Sequence, residues 1–169
     1  MTIPTDPGAE HRLREPAERV DPRARLMWTV VALANSVFTF GVLLAGALIW
    51  DVVPVTWWGA VLVALAFAAY TFLMPRWRYA VHRWEVTETA VYTQTGWWSI
   101  EQRIAPMSRI QTVDYEEGAI ARLFRLASVT VTTASAAGAL AIEGLDRDLA
   151  RGLVEQLTRR ADAVPGDAT

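Results

Sequence analysis

The side chains able to do chemistry in this 169-residue sequence are few and scattered. Cysteine is absent, so thiolate nucleophiles, disulfides, thiolate-held zinc and iron–sulfur clusters are excluded. Imidazole comes only from His11 and His82, and no local spacing supplies either with the carboxylate partners a metal would need. No metal and no cofactor is therefore expected. Ser108 with Arg109 and Asp114 comes nearest to a reactive constellation, yet no base lies within sequence reach, and strand alternation puts Arg109 and Asp114 on opposite faces. Gly-rich phosphate loops, zinc-binding helices and paired-carboxylate motifs are also missing. A non-catalytic protein is expected.

What chemistry remains is cationic and local. All sixteen basic residues are arginine and the formal net charge is −2, so there is no broad positive field of the kind that gathers nucleic acid. Arg109, Arg122 and Arg125 are the candidate contacts to anionic lipid headgroups or to a partner. They are not embedded in a dense basic run of roughly four to eight residues, which ranks specific headgroup recognition below a partner-binding role.

The elements that must position these residues begin with a strong asymmetry of hydropathy. Hydrophobic residues make up 53% of the chain and concentrate between Leu26 and Met74. Leu26 to Trp50 is uncharged and, at ~1.5 Å per helical residue, more than long enough for a hydrocarbon core of ~30 Å. Val52 to Met74 is a second such run, separated from the first by Asp51 alone, which implies a tight turn around Trp50, Asp51 and Pro54. Asn35 and Ser36 are expected to bond between helices or back to their own helix. Gly41, Ala45 and Gly46 form a candidate packing face, against the second helix or against another chain. A cleaved signal peptide is disfavoured, because the apolar core is too long and a second spanning run follows directly.

Orientation follows from the arginines. Arg12, Arg14, Arg19, Arg23 and Arg25 precede the first run, Arg76, Arg78 and Arg83 follow the second, and the turn between has no basic residue. Both ends are therefore expected on the cytoplasmic side. Trp28 and Trp77 fall at the inner interface and Trp50, Trp57 and Trp58 at the outer one, where indoles partition. Residues Met1 to Arg25, with Pro4, Pro7, Pro16 and Pro22 among mixed charges, read as a disordered tail.

Beyond Arg76 the period changes to alternation. Trp98, Ile100, Gln102 and Ile104 form the mostly apolar face of one strand, and Val129, Val131 and Thr133 that of another, with Leu140 and Ile142 a shorter copy. Arg78 to Val86, Ala90 to Thr95 and Ile110 to Tyr115 are further strands, with turns at Thr87 to Thr89, Gly96, Pro106 to Ser108 and Ala136 to Gly138. Ala119 to Leu126 predicts a helical turn or two. Asp146 can cap a closing helix on which Leu149, Leu153, Val154 and Leu157 share a face. One core is expected from Trp98, Ile100, Val129, Val131, Leu140, Ile142, Leu153 and Leu157. The result is an α+β fold in which one amphipathic helix plugs a barrel or curled sheet.

The ordered run Ile104-Ala-Pro-Met-Ser-Arg-Ile-Gln-Thr-Val-Asp114, Gly118-Ala-Ile-Ala-Arg-Leu-Phe124, Val129-Thr-Val-Thr-Thr-Ala-Ser135 and Ile142-Glu-Gly-Leu145 resembles the bacterial pleckstrin-homology-like family of YdbS-type membrane proteins. The resemblance covers roughly Leu26 to Arg160. It implies a two-helix transmembrane hairpin followed by a bent antiparallel sheet of about seven strands with a C-terminal helical cap. After Phe124 such proteins commonly have Gly-Leu, whereas this chain has Arg125-Leu126, so a turn that relied on positive φ is strained at Arg125.

The expected organisation is a disordered tail (1–25), a transmembrane hairpin (26–75, spans 26–50 and 52–74), a cytoplasmic pleckstrin-homology-like domain (76–161) and a flexible tail (162–169). A multi-pass protein of the bacterial cell membrane is expected. Its role is expected to be that of an interaction or scaffold module working with itself, as a homo-oligomer, or with a related membrane protein. The alternative, suggested by eukaryotic relatives of the fold, is recognition of anionic lipid headgroups.

Overall fold

The computed structural model describes residues 15–50, 56–134 and 138–163. Strand β1 (Glu18–Arg19) leads into helix α1 (Pro22–Trp50). The helix begins where an Asp-Pro pair dictates. Pro22 takes the first helical position, where its missing N–H costs nothing, and the Asp21 carboxylate accepts the Arg23 N–H at 2.8 Å. This corrects the expected disordered tail up to Arg25. From Glu15 onward the segment is described, β1 pairs with a later strand, and Val20 and Ala24 are buried in the core. Residues 1–14 lie outside the described residues, as do the expected turn at Asp51 and Pro54 and most of the C-terminal tail.

Helix α2 (Trp57–Val81) is the second long apolar helix, and both are long and apolar enough to cross a membrane. Its described start is Trp57 rather than Val52, and it runs through Pro75 to Val81 rather than stopping at Met74. The expected strand from Arg78 is corrected accordingly, since Arg78 to Val81 are its last helical turn. The two helices lie side by side in opposite directions. The Thr71 hydroxyl donates to Ser36 Oγ at 2.9 Å, and one turn away Phe40 meets Phe67 edge-on at 6.2 Å. Thr71 stands four residues before Pro75, whose missing N–H leaves the Thr71 carbonyl without its helical donor.

The remainder forms two antiparallel sheets. The first has the order β1, β2 (Arg83–Val86), β3 (Ala90–Gly96), β4 (Ile100–Pro106). A 3₁₀ turn at Met107–Arg109 passes the chain to β5 (Ile110–Glu116), which pairs with β6 (Leu126–Thr133), and β6 pairs with β7 (Leu140–Asp146). Helix α3 (Ala119–Leu123) joins β5 to β6, and α4 (Arg147–Ala163) closes the structure. The sheets bear out the expected bent antiparallel α+β architecture, and β1 supplies a seventh strand from a segment where none was expected.

Val129, Val131, Leu140, Ile142, Leu153 and Leu157 do share one core, together with Leu126, Leu145, Trp84 and Val91. Trp98 and Ile100 do not. They are 90% and 61% exposed, because β4 is the outer strand of its sheet and turns its apolar face away from the core, contributing Ala105 alone. Helix α4 lays Ala150, Leu153 and Leu157 on the sheets, and Asp146 caps it by accepting the N–H groups of Asp148 and Leu149.

Candidate functional site

The residues with the densest polar chemistry gather where the two long helices meet the sheets. Arg78, on the last turn of α2, stacks over the Trp28 ring of α1 at 4.4 Å and donates to Glu143 of β7 at 2.5 Å. His82 also packs against Trp28, with ring centroids 5.2 Å apart, and its Nδ1–H donates to the Arg78 carbonyl at 2.9 Å. Burial, and secondarily the Arg78 charge, hold His82 below its ordinary pKa, so the ring is favoured in its neutral form. A Cβ at Gly144 would come within 2.7 Å of the Ala24 Cβ, so glycine is what lets β7 approach α1. Below this joint, Arg23 bridges Asp21 at 3.0 Å and Asp146 at 2.6 Å, tying the start of α1 to the cap of α4. Both carboxylates are thereby held below their usual range, in each case chiefly by the Arg23 hydrogen bond.

Sequence reasoning missed this joint. Its signals were the Asp21-Pro22 start and Gly144, neither of which reveals its partner without the fold.

Beside the joint opens a cleft of about 400 Å³ lined by Met74, Arg78, His82, Trp97, Arg103 and Glu143, among others. Its cations are satisfied: Arg103 pairs with Glu101 and donates to the Ala139 carbonyl, and Arg78 holds Glu143. A second groove, about 460 Å³, lies between the helices and is lined by Pro22, Arg23, Arg25, Leu26, Thr29, Phe72 and Arg76. There Arg25 and Arg76 have no carboxylate partner among the described residues. Arg25 reaches toward the Tyr79 ring, and Arg76 over Phe72, whose carbonyl it also donates to.

The residues singled out from the sequence are not brought together. Arg109 sits beside Ile110, which pairs with Thr133 at the end of β6, whereas Arg122 and Arg125 flank the start of β6 at Leu126. The paired strand separates them by roughly 20 Å, at ~3.3 Å per residue. Arg125 instead does backbone work at φ 56°, its carbonyl accepting the Arg147 N–H, and its side chain faces Asp148 at 3.9 Å. Gly41 and Ala45 are exposed and Gly46 is half-buried; nothing lies within 4 Å of a Cβ placed at Gly41. The described side-chain contacts between the two helices run through Ser36 with Thr71 and Phe40 with Phe67.

A family model described as the bacterial PH domain matches residues 29–161, from within α1 through nearly all of α4. The chain belongs to the bacterial PH domain family. Among curated relatives, the UPF0699 transmembrane protein YdbS of Bacillus subtilis (strain 168) is 27% identical over 154 residues, covering 88% of this chain and 96% of the relative. No solved structure matches the chain. This bacterial PH domain protein is thus a transmembrane protein with two candidate spans, and the matched region takes in the hairpin as well as the sheets.

Proposed function

We propose that this bacterial PH domain protein is a non-catalytic, membrane-anchored interaction module of the bacterial cell membrane. Both helices span, both termini face the cytoplasm, and the module assembles through α1 with a second copy or with a related PH-domain membrane protein. The arginines on both flanks of the hairpin support the orientation.

The observation that carries the assembly is Asn35. Its amide lies on the exposed side of α1, near the middle of the helix, and has no hydrogen-bond partner among the described residues. Ser36 next to it is satisfied within the hairpin, and Asn35 is not. A carboxamide facing hydrocarbon gains by meeting another helix, and asparagine carries both a donor and an acceptor, so two copies of α1 can satisfy each other. The exposed Gly41 and Ala45 permit close approach nearby.

Energy transfer between labelled full-length copies in vesicles, followed over a dilution series, tests this. Asn35→Leu is expected to weaken association by about 1 kcal/mol, roughly fivefold, while Asn35→Gln retains it. A native chain that stays monomeric at every dilution overturns the reading.

A second reading, recognition of anionic lipid headgroups, is favoured by the interhelical groove rather than by Arg109, Arg122 and Arg125. Arg25 and Arg76, without a carboxylate partner among the described residues, offer two guanidinium groups beside Leu26 and Phe72, where a lipid phosphate and its acyl chains would lie. Phosphatidylglycerol retained by the native protein, and lost with Arg25→Gln/Arg76→Gln, would support it.

A further inference from the structure

The β3–β4 hairpin closes with Gly96 paired to Ile100, leaving Trp97, Trp98 and Ser99 as its tip. A three-residue tip of this kind is ordinarily polar, yet here Trp98 is 90% and Trp97 57% exposed, and the two rings touch each other edge-on at 6.1 Å. The tip has a fixed shape. Gly96 adopts φ 128°, and a Cβ there would fall 1.9 Å from the Ser99 carbonyl oxygen, so the close turn depends on glycine.

The placement of this tip follows from β3 and α2 together. The Gln94 side chain donates to the carbonyl of Val81, the last residue of α2, which fixes the strand against the helix end. From Gln94 to Trp97 is three strand residues, ~10 Å at ~3.3 Å each. From Val81 back to Met74 is seven helical residues, again ~10 Å at ~1.5 Å each. Trp97 and Met74 accordingly line the same cleft. Met74 is the last apolar residue of α2 before Pro75 and Arg76, so the tip stands level with the boundary between hydrocarbon and headgroups. Exposed Leu73 and Trp77 of α2 and exposed Ile100 of β4 extend the apolar surface on either side. The charges behind it are neutralised in pairs, Glu101 with Arg103 and Glu143 with Arg78.

We infer that Trp97 and Trp98 form a lipid-docking tip that inserts into the cytoplasmic headgroup layer beside α2, and so fixes the orientation of the PH domain against the bilayer. The inference rests on the reading that the helices span. It takes membrane lipid as the occupant because the tip is continuous with the lipid-exposed side of α2 and because amphipathic indoles partition to this depth. With the Arg78 joint, the tip gives the domain a second point of attachment.

The absence of cysteine permits a clean test on the full-length chain in phosphatidylcholine–phosphatidylglycerol vesicles. A polarity-sensitive fluorophore is attached at Trp98→Cys, at Ser99→Cys with both indoles retained, and at Glu155→Cys on the exposed face of α4. The tip probes are expected to emit to the blue, to be quenched severalfold more by nitroxide-bearing lipids than the Glu155 probe, and to resist aqueous quenchers. If the tip probes are as open to aqueous quenchers as Glu155 while the protein resists alkaline extraction, the docking inference fails and the spans stand. Extraction of the protein by alkali overturns the spanning reading itself. Protection without quenching from lipid, growing with protein density, assigns the tip to a second copy and also overturns the inference.

Discussion

Strands β6 and β4 carry nearly the same message in sequence and do opposite things in the fold. Both alternate apolar with polar residues. In β6, Val129 and Val131 are fully buried between two neighbouring strands and under α4. In β4, Ile100 and Ile104 face outward, Ala105 alone enters the core, and the strand ends its sheet with one edge unpaired. Alternation identifies two faces of a strand and leaves open which face meets the core. The strand's place in the sheet decides that, and the place depends on contacts distant in sequence. On the proposed docking of the tryptophan tip, the apolar face of β4 left outside the core has a second solvent to meet, the bilayer.

The widest gap between the two strands should appear in stability. Leu157, on the inner face of α4, is fully buried against the β5–β6–β7 sheet, so Leu157→Ala in the full-length protein is expected to cost about 2–5 kcal/mol in denaturant unfolding. Ile104→Ala, on the outward face of β4, should cost no more than about 0.5 kcal/mol. Equal costs would mean that β4 is covered, and would erase the distinction.

A second substitution tests whether the sheet containing β6 is rigidly joined to the hairpin. Gly144 on β7 has φ 74°, and its Cα faces Ala24 and the Trp28 ring. An alanine there meets both the left-handed penalty, roughly 1–2 kcal/mol, and overpacking of about 1–3 kcal/mol against α1. Gly144→Ala is expected to lower stability by about 2 kcal/mol or more, and to raise solvent exchange at the start of α1 together with that of β7. A change confined to β7 would show that the hairpin and the sheets move independently.

Much of this was legible before the fold. Two uncharged runs, the Asp146 cap, the Leu153 and Leu157 face and the alternation at Val129 and Val131 are local patterns, and each forms as the residues imply. What stayed hidden was long-range. The proline-rich segment before α1 lacks the periodicity of a packed element, yet β1 adds to β2, Val20 and Ala24 fill the core, and Arg23 reaches Asp146 across the fold. The Asp21-Pro22 pair was a readable start signal that a count of apolar residues passes over. The three arginines expected to contact a ligand are near one another in sequence, yet β5 runs between them and holds Arg109 a strand's length from Arg122 and Arg125.

Arg125, which opens β6, offers the smallest effect and the sharpest reading of local geometry. Its φ of 56° makes it the one non-glycine residue in the left-handed region among the described residues. Holding a side chain there costs roughly 1–2 kcal/mol. Glycine removes that strain but gives the unfolded chain more freedom, returning about 0.4–1 kcal/mol of the gain. The pairing with Asp148, at 3.9 Å between exposed side chains, contributes less than about 0.5 kcal/mol. Arg125→Gly should therefore leave stability unchanged or raise it by up to about 1 kcal/mol, whereas Arg125→Ala, which keeps the Cβ and loses the ion pair, should lower it slightly. The comparison of the two variants isolates the backbone, because both lack the guanidinium. Should Arg125→Ala prove the more stable of the pair in thermal unfolding, the turn into β6 does not hold a left-handed residue, and the strain assigned to it is absent.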